Sequence, residues 1–150
     1  PEPVLDLDFD AYLPDTYVTD PAQKVELYRR IATIGSRDES SELLDEIIDR
    51  FGEAPPQTCA LLGIAGIKAL AGQVGISSMR RRGDQTIIRM LSGLTIPENA
   101  VRELSRTFRG KIRFPGSRAS QIRFRSNTQN EQGFLRELEQ VVTTIKEAIG

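Results

Sequence analysis

The 150-residue sequence has no histidine, no tryptophan and one cysteine, Cys59. Without histidine there is no side chain that titrates near neutral pH unaided and no imidazole ligand, which excludes the common zinc sites and the Ser-His and Cys-His nucleophile pairs. A lone cysteine forms no intrachain disulfide. Neither GxxxxGK[ST] nor GxGxxG occurs, so the phosphate-cradling loops of nucleotide enzymes are missing as well. No apolar run approaches the roughly 18 to 20 residues of a membrane span, and the opening PEPVLDLDFD has no basic region followed by an apolar one. These absences point to a cytoplasmic chain with no membrane partner, no metal and no catalytic residues. A carboxylate-pair hydrolase is the one enzyme class they leave open. The chain begins at Pro1 in the middle of an apolar-acidic alternation, which suggests a segment of a longer protein.

What is present suffices for a globular domain: 39% hydrophobic and 27% charged residues can bury a core at this length. Charge is unevenly placed. Residues 1–78 hold 6 Lys/Arg against 14 Asp/Glu, and residues 79–150 hold 14 against 7. Either the two halves attract each other or each faces its own partner.

Leu5, Leu7 and Phe9 alternate with Asp6, Asp8 and Asp10, the period of a strand with one wet face. Asp20-Pro21 is an N-cap followed by a first-turn proline, and Leu27, Tyr28, Ile31 and Ile34 continue at helical spacing, predicting a helix over about 20–34. Ser36 and Glu39 fit a capping box opening a second helix near 37. Leu43, Leu44, Ile47, Ile48 and Phe51 form its apolar stripe, and Gly52 is placed for a left-handed stop. Pro55-Pro56 opens a third helix, about 55–74, apolar enough to be central, with Gly63 and Gly66 marking close packing. Short strands follow at 76–82 and 85–91 around Gly83-Asp84. A helix over 97–108 turns Val101, Leu104, Ser105 and Phe108 inward, strands cover 111–114 and 121–125, and a last helix covers 130–149. The fold class is α+β: a helical half, then β-β-α-β-β-α with a mainly antiparallel sheet.

Two groups of residues carry functional interest. In KIRF and QIRFR, Arg113, Arg123 and Arg125 share a sheet face, which Arg80, Arg81, Arg82 and Arg118 would enlarge. Such a face attracts phosphates, and the alternative function it supports is nucleic-acid binding. The phenylalanines alternate to the other face, so base stacking is not provided for. In EIIDRFG, Asp49 lies opposite the apolar stripe while Glu46 and Arg50 flank it, spaced i,i+4. Geometry allows an intrahelical Glu46-Arg50 pair on a wet face, or a contact to a partner.

The runs AYLPDTYVTDPAQKVELYRRIA, LLDEIIDRFGEAPP and LLGIAGIKALAGQVGI resemble the C-terminal domain of bacterial transcription-repair coupling factors, the Mfd family, over about residues 11–76. Beyond that only the strand-helix rhythm and the closing helix agree. The resemblance implies that residues 1–15 are an entry strand and linker from a preceding motor and that 16–150 form one regulatory domain. The parent would be an ATP- and Mg-dependent translocase on double-stranded DNA that displaces stalled RNA polymerase in nucleotide excision repair. Its C-terminal domain would hold no cofactor and, isolated, would be monomeric. It would dock on the UvrB-homology module of the same chain, mask the surface that binds UvrA and restrain the motor. The family's docking contacts fall on Glu46, Asp49 and Arg50.

Overall fold

The computed structural model describes residues 2–126, 128 and 130–150. The chain divides into two compact units, one from Phe9 to Leu70 and one combining the N-terminal segment up to Asp8 with Ala71–Gly150.

The first unit holds α1 (Pro21–Ala32), α2 (Arg37–Phe51) and most of α3 (Pro56–Gln73). Local chemistry sets their ends. The Asp20 carboxylate accepts from the Ala22 amide at 2.9 Å with Pro21 at the first helical position, and Ser36 Oγ accepts from the Glu39 amide at 3.1 Å. The reciprocal half of the expected capping box is displaced by one residue, because the Glu39 carboxylate accepts from Gly35 N at 3.0 Å. Leu13, Val18, Leu27, Ile31, Leu43, Ile47 and Leu62 form the core. The stripe of α2 is narrower than its periodicity predicts: Leu43 and Ile47 are buried, Leu44 and Phe51 partly so, and Ile48 is exposed. Gly66 faces α2, where an added Cβ would lie 3.1 Å from Ser40 Cβ, and Ser40 Oγ donates to the Leu62 carbonyl.

The second unit is a five-stranded sheet in the order β1-β2-β3-β5-β4, with β1 Val4–Asp6, β2 Ile76–Arg82, β3 Gln85–Met90, β4 Ile112–Arg113 and β5 Gln121–Arg125. β1 pairs parallel with β2, and the other pairings are antiparallel. The N-terminal strand is shorter than the alternation predicts. It ends at Asp6 because Asp8 adopts a positive φ of 60°, which breaks the extended backbone. The β2–β3 hairpin turns through Gly83-Asp84 with Gly83 at φ 64°, the sign a type II′ turn assigns to a glycine at its first central position.

Met79, Ile88 and Ile122 pair in register and are fully buried on one sheet face. Helices α4 (Glu98–Thr107) and α5 (Glu131–Ile149) cover that face. Phe108, just past α4, meets Phe124 edge-on at 5.3 Å, and Phe134 of α5 stacks under Arg81 at 4.3 Å. In α4 the inward row is Ala100 and Leu104, continued by Phe108 at the C-cap. Ser105, predicted inward, is exposed, since it lies about 100° around the helix from Leu104.

Candidate functional site

The EIIDRFG segment is the last two turns of α2. At about 100° per residue, Asp49 falls about 160° around the helix from Ile47, Glu46 about 100° and Arg50 about 60°, so the three span an arc of about 100° that starts beside the apolar stripe and runs to the side opposite it. Buried Leu43 and Ile47 fix the rotation of the helix and so aim that arc outward. The segment is closed by Gly52, whose amide donates to the Ile48 carbonyl at 2.9 Å. Gly52 has φ 91° and ψ −170°. This is the mirrored extended region that only glycine occupies at low cost, not the left-handed helical turn its position suggests. Tyr17 holds the same corner: its hydroxyl donates to the Gly52 carbonyl at 2.6 Å and its ring lies 5.9 Å from Phe51.

The structure resolves which partner Glu46 takes. It is not Arg50. Arg30, in the last turn of α1, donates through both terminal nitrogens to the two Glu46 carboxylate oxygens, the Nη2-Oε1 bond measuring 2.9 Å. This is the bidentate fork that guanidinium and carboxylate planes favour. Arg50 instead lies 5.0 Å over the ring of its neighbour Phe51. Asp49 is exposed and, among the described residues, has no hydrogen bond or ion pair. Of the three motif charges, one is committed within the unit and two face solvent without an ionic partner. Sequence reading missed Arg30 because the pair spans sixteen positions, and no local spacing rule reaches that far.

Arg30 also fixes the charge state of Glu46. Its hydrogen bonds hold the carboxyl below the ordinary value of 4.5, against an opposing desolvation and with further help from the Arg30 and Arg50 charges. A carboxylate whose folded pKa is depressed contributes stability above its unfolded value, and loses it as pH falls through the folded value. We therefore expect the Glu46 carboxyl, followed by carbon NMR, to titrate below 4.5 and to move up on Arg30→Ala. An ordinary titration that Arg30→Ala leaves unchanged would show that the fork does not exist in solution.

A hollow of about 250 Å³ runs between the end of α1 and α2, lined by Arg30, Glu39, Glu42 and Glu46 among others. It joins acids, yet it is poorly suited to carboxylate catalysis. A general acid needs its pKa raised by burial or a like charge, whereas Arg30 lowers that of Glu46, and Glu39 is engaged in the helix cap. Cys59 is half-buried, its Sγ donates to the Ala54 carbonyl at 3.8 Å, and burial pushes its thiol pKa up, the opposite of nucleophile activation. Among the described residues no group of three or more His, Cys, Asp or Glu side chains could hold a metal, and no helix is long and apolar enough to cross a membrane.

In the second unit the structure places Arg113 directly opposite Arg123, with Arg125 two residues on along the same face. Arg80 and Arg82 share that face through their pairing with Ile87 and Gln85. Arg81 does not: it alternates to the helix-covered face and lies over Phe134.

Residues 7–114 match the model of the TRCF domain family. The transcription-repair-coupling factor of Bacillus subtilis is 36% identical over 103 residues, 69% of this chain and 8% of that protein. The Rickettsia prowazekii protein of the same name is 34% identical over 104 residues, 69% of this chain and 9% of that protein. The chain thus spans about a tenth of the length of the curated relatives it matches. A crystal structure of the C-terminal domain of a transcription-repair coupling factor superposes with a TM-score of 0.86 at 28% identity, covering 98% of this chain and 93% of that one.

Proposed function

We propose, for a chain that belongs to the TRCF domain family, that it is the autoinhibitory C-terminal domain of a transcription-repair coupling factor. It docks through the outward arc of α2 on the UvrB-homology module of its own parent and masks the surface that recruits UvrA. The docked domain restrains a parent that uses ATP and Mg to translocate on double-stranded DNA and displace stalled RNA polymerase.

The observation that carries this reading is the unspent charge at Asp49 and Arg50. Apart from exposed Ile48, the apolar stripe of α2 is engaged in its own core, and the adjacent carboxylate is held by Arg30. An aspartate and an arginine then stand outward at neighbouring positions on a helix that is rigidly set. A contact made of such charges suits a switch. Polar docking of modest strength closes the domain when the partner is near and releases it when another interaction competes, and complementary charge selects the partner.

The structure changes what each substitution should do. Asp49→Ala and Arg50→Ala remove docking charge without touching an internal ion pair, Arg50 giving up only its exposed place over the Phe51 ring, so each should leave stability within about 0.5 kcal/mol. Together they should weaken binding to the separated UvrB-homology module by about 1 to 3 kcal/mol, the span of a regulatory coupling. Glu46→Ala acts on docking and also frees Arg30. Calorimetric titration of the isolated module with the doubly substituted chain checks this, and undiminished affinity would remove Asp49 and Arg50 from the interface.

A further inference from the structure

We propose that the arginine-bearing face of the sheet is a sequence-independent binding surface for a duplex nucleic-acid backbone, with the pocket between Arg89 and Arg118 seating one phosphate. The register sets the guanidiniums in rows across the strands. Asp6 of β1, Arg80 of β2, Ile87 of β3, Arg123 of β5 and Arg113 of β4 are successive cross-strand partners, with adjacent strands about 4.8 Å apart. One row along, Arg89 stands between Ser78 and Gln121.

These charges are not balanced internally. Arg82 is paired with Asp6 at 2.9 Å and Arg125 with Asp84 at 3.7 Å. Among the described residues, the side chains of Arg80, Arg89, Arg113, Arg118 and Arg123 have neither an ion pair nor a hydrogen bond, and Arg123 Nε is shielded from water without a partner. Like charges set directly opposite, as Arg113 and Arg123 are, weaken a sheet. An external anion between them turns that repulsion into attraction.

At the edge of this face a pocket of about 310 Å³ is lined by Arg89 and Arg118, the hydroxyl residues Ser92, Thr95 and Ser120, and the Gln121 amide. Among the described residues its lining carries two cations, several hydrogen-bond donors and no carboxylate, the donor set that suits a phosphate. The occupant is a duplex and not a single strand because, among the described strand residues, no aromatic ring lies on the face. Phe124 and Phe108 are buried on the opposite side, so splayed bases would find nothing to stack on, while a duplex presents its phosphates outward.

The test is fluorescence anisotropy of this chain with a labelled 30-base-pair duplex between 50 and 200 mM salt. Four or five engaged phosphates give a slope of log K against log salt of about −4. Changing Arg113 and Arg123 to glutamine should lower that slope by about 2 and the affinity at 100 mM salt by at least about tenfold, and R118Q should lower the slope by about 1. R102Q, on α4 and paired with Glu98, should change it little. If the double change disturbs β4–β5 pairing, R80Q and R118Q carry the same test from β2 and a loop. Absence of duplex binding at 50 mM salt overturns the proposal, as does equal loss with R102Q or tighter binding of a single strand of the same sequence. Polyglutamate binding as tightly as the duplex also overturns it, assigning the face to an acidic protein.

Discussion

Ile47→Ala is expected to destabilise the helical unit by about 3 kcal/mol, within the roughly 2 to 5 kcal/mol seen when a buried isoleucine is cut to alanine. Ile47 is fully buried in the cluster with Leu13, Leu27, Leu43 and Leu62. Removing its outer carbons forfeits their transfer energy and leaves a cavity that three helices packed at interior density cannot easily close. The effect should appear in urea unfolding as a lower midpoint with an unchanged slope. Its functional value is as a contrast. Ile47 sits one residue from Glu46 and two from Asp49, so its loss should impair docking in proportion to the unfolded population, whereas Asp49→Ala should impair docking at full stability. A cost under about 1 kcal/mol would mean that Ile47 does not anchor the helix, and the outward aim of the three charges would lose its basis.

Gly52→Val is expected to cost about 3 kcal/mol for a different reason. An added Cβ would meet nothing within 4 Å at Gly52, so crowding is not the cause. The backbone is. At φ 91° and ψ −170° a β-branched residue lies in a region essentially reserved for glycine, and the chain must either bear the strain or rearrange the corner. Rearrangement would also break the bond from the Tyr17 hydroxyl to the Gly52 carbonyl and the capping bond to Ile48. Thermal unfolding measures the loss. Restoring glycine in a Tyr17→Phe background separates the contribution of that hydroxyl bond, about 1 kcal/mol, from the backbone strain. A valine variant as stable as the parent would show that the corner is not held as described.

The two positions show how differently a sequence discloses its contents. Ile47 is visible as core from its place in a 3.6-residue stripe, since helical geometry alone converts spacing into a face. The stop at Gly52 is visible too, but its conformation is not, because a glycine reports only that unusual backbone is permitted. Helix boundaries near Asp20 and Ser36 are legible for the same local reason: a cap forms among residues two or three apart. Where expectation failed, a longer-range influence intervened. Ile48 belongs to the stripe by spacing yet is exposed, lying about 100° around α2 from buried Ile47. Arg81 reads as one of three adjacent basic residues, but β alternation turns it onto Phe134. Ser105 yields its inward place to Ala100.

The sequence by itself determined the order of helices and strands, the buried side of α2 at Leu43 and Ile47, the unequal charge of the two halves and, through its motifs, the family. These follow from periods of two and 3.6 residues and from caps, all set within a few positions along the backbone. Only the tertiary structure decided that Glu46 binds Arg30 and not Arg50, that β1 is an edge strand parallel to β2, and that Arg80, Arg113 and Arg123 fall in one row. Each is a pairing between residues distant in the chain. A bidentate ion pair forms only where folding brings two planar groups to about 2.9 Å in the right orientation, and strand register is settled by which face the core buries.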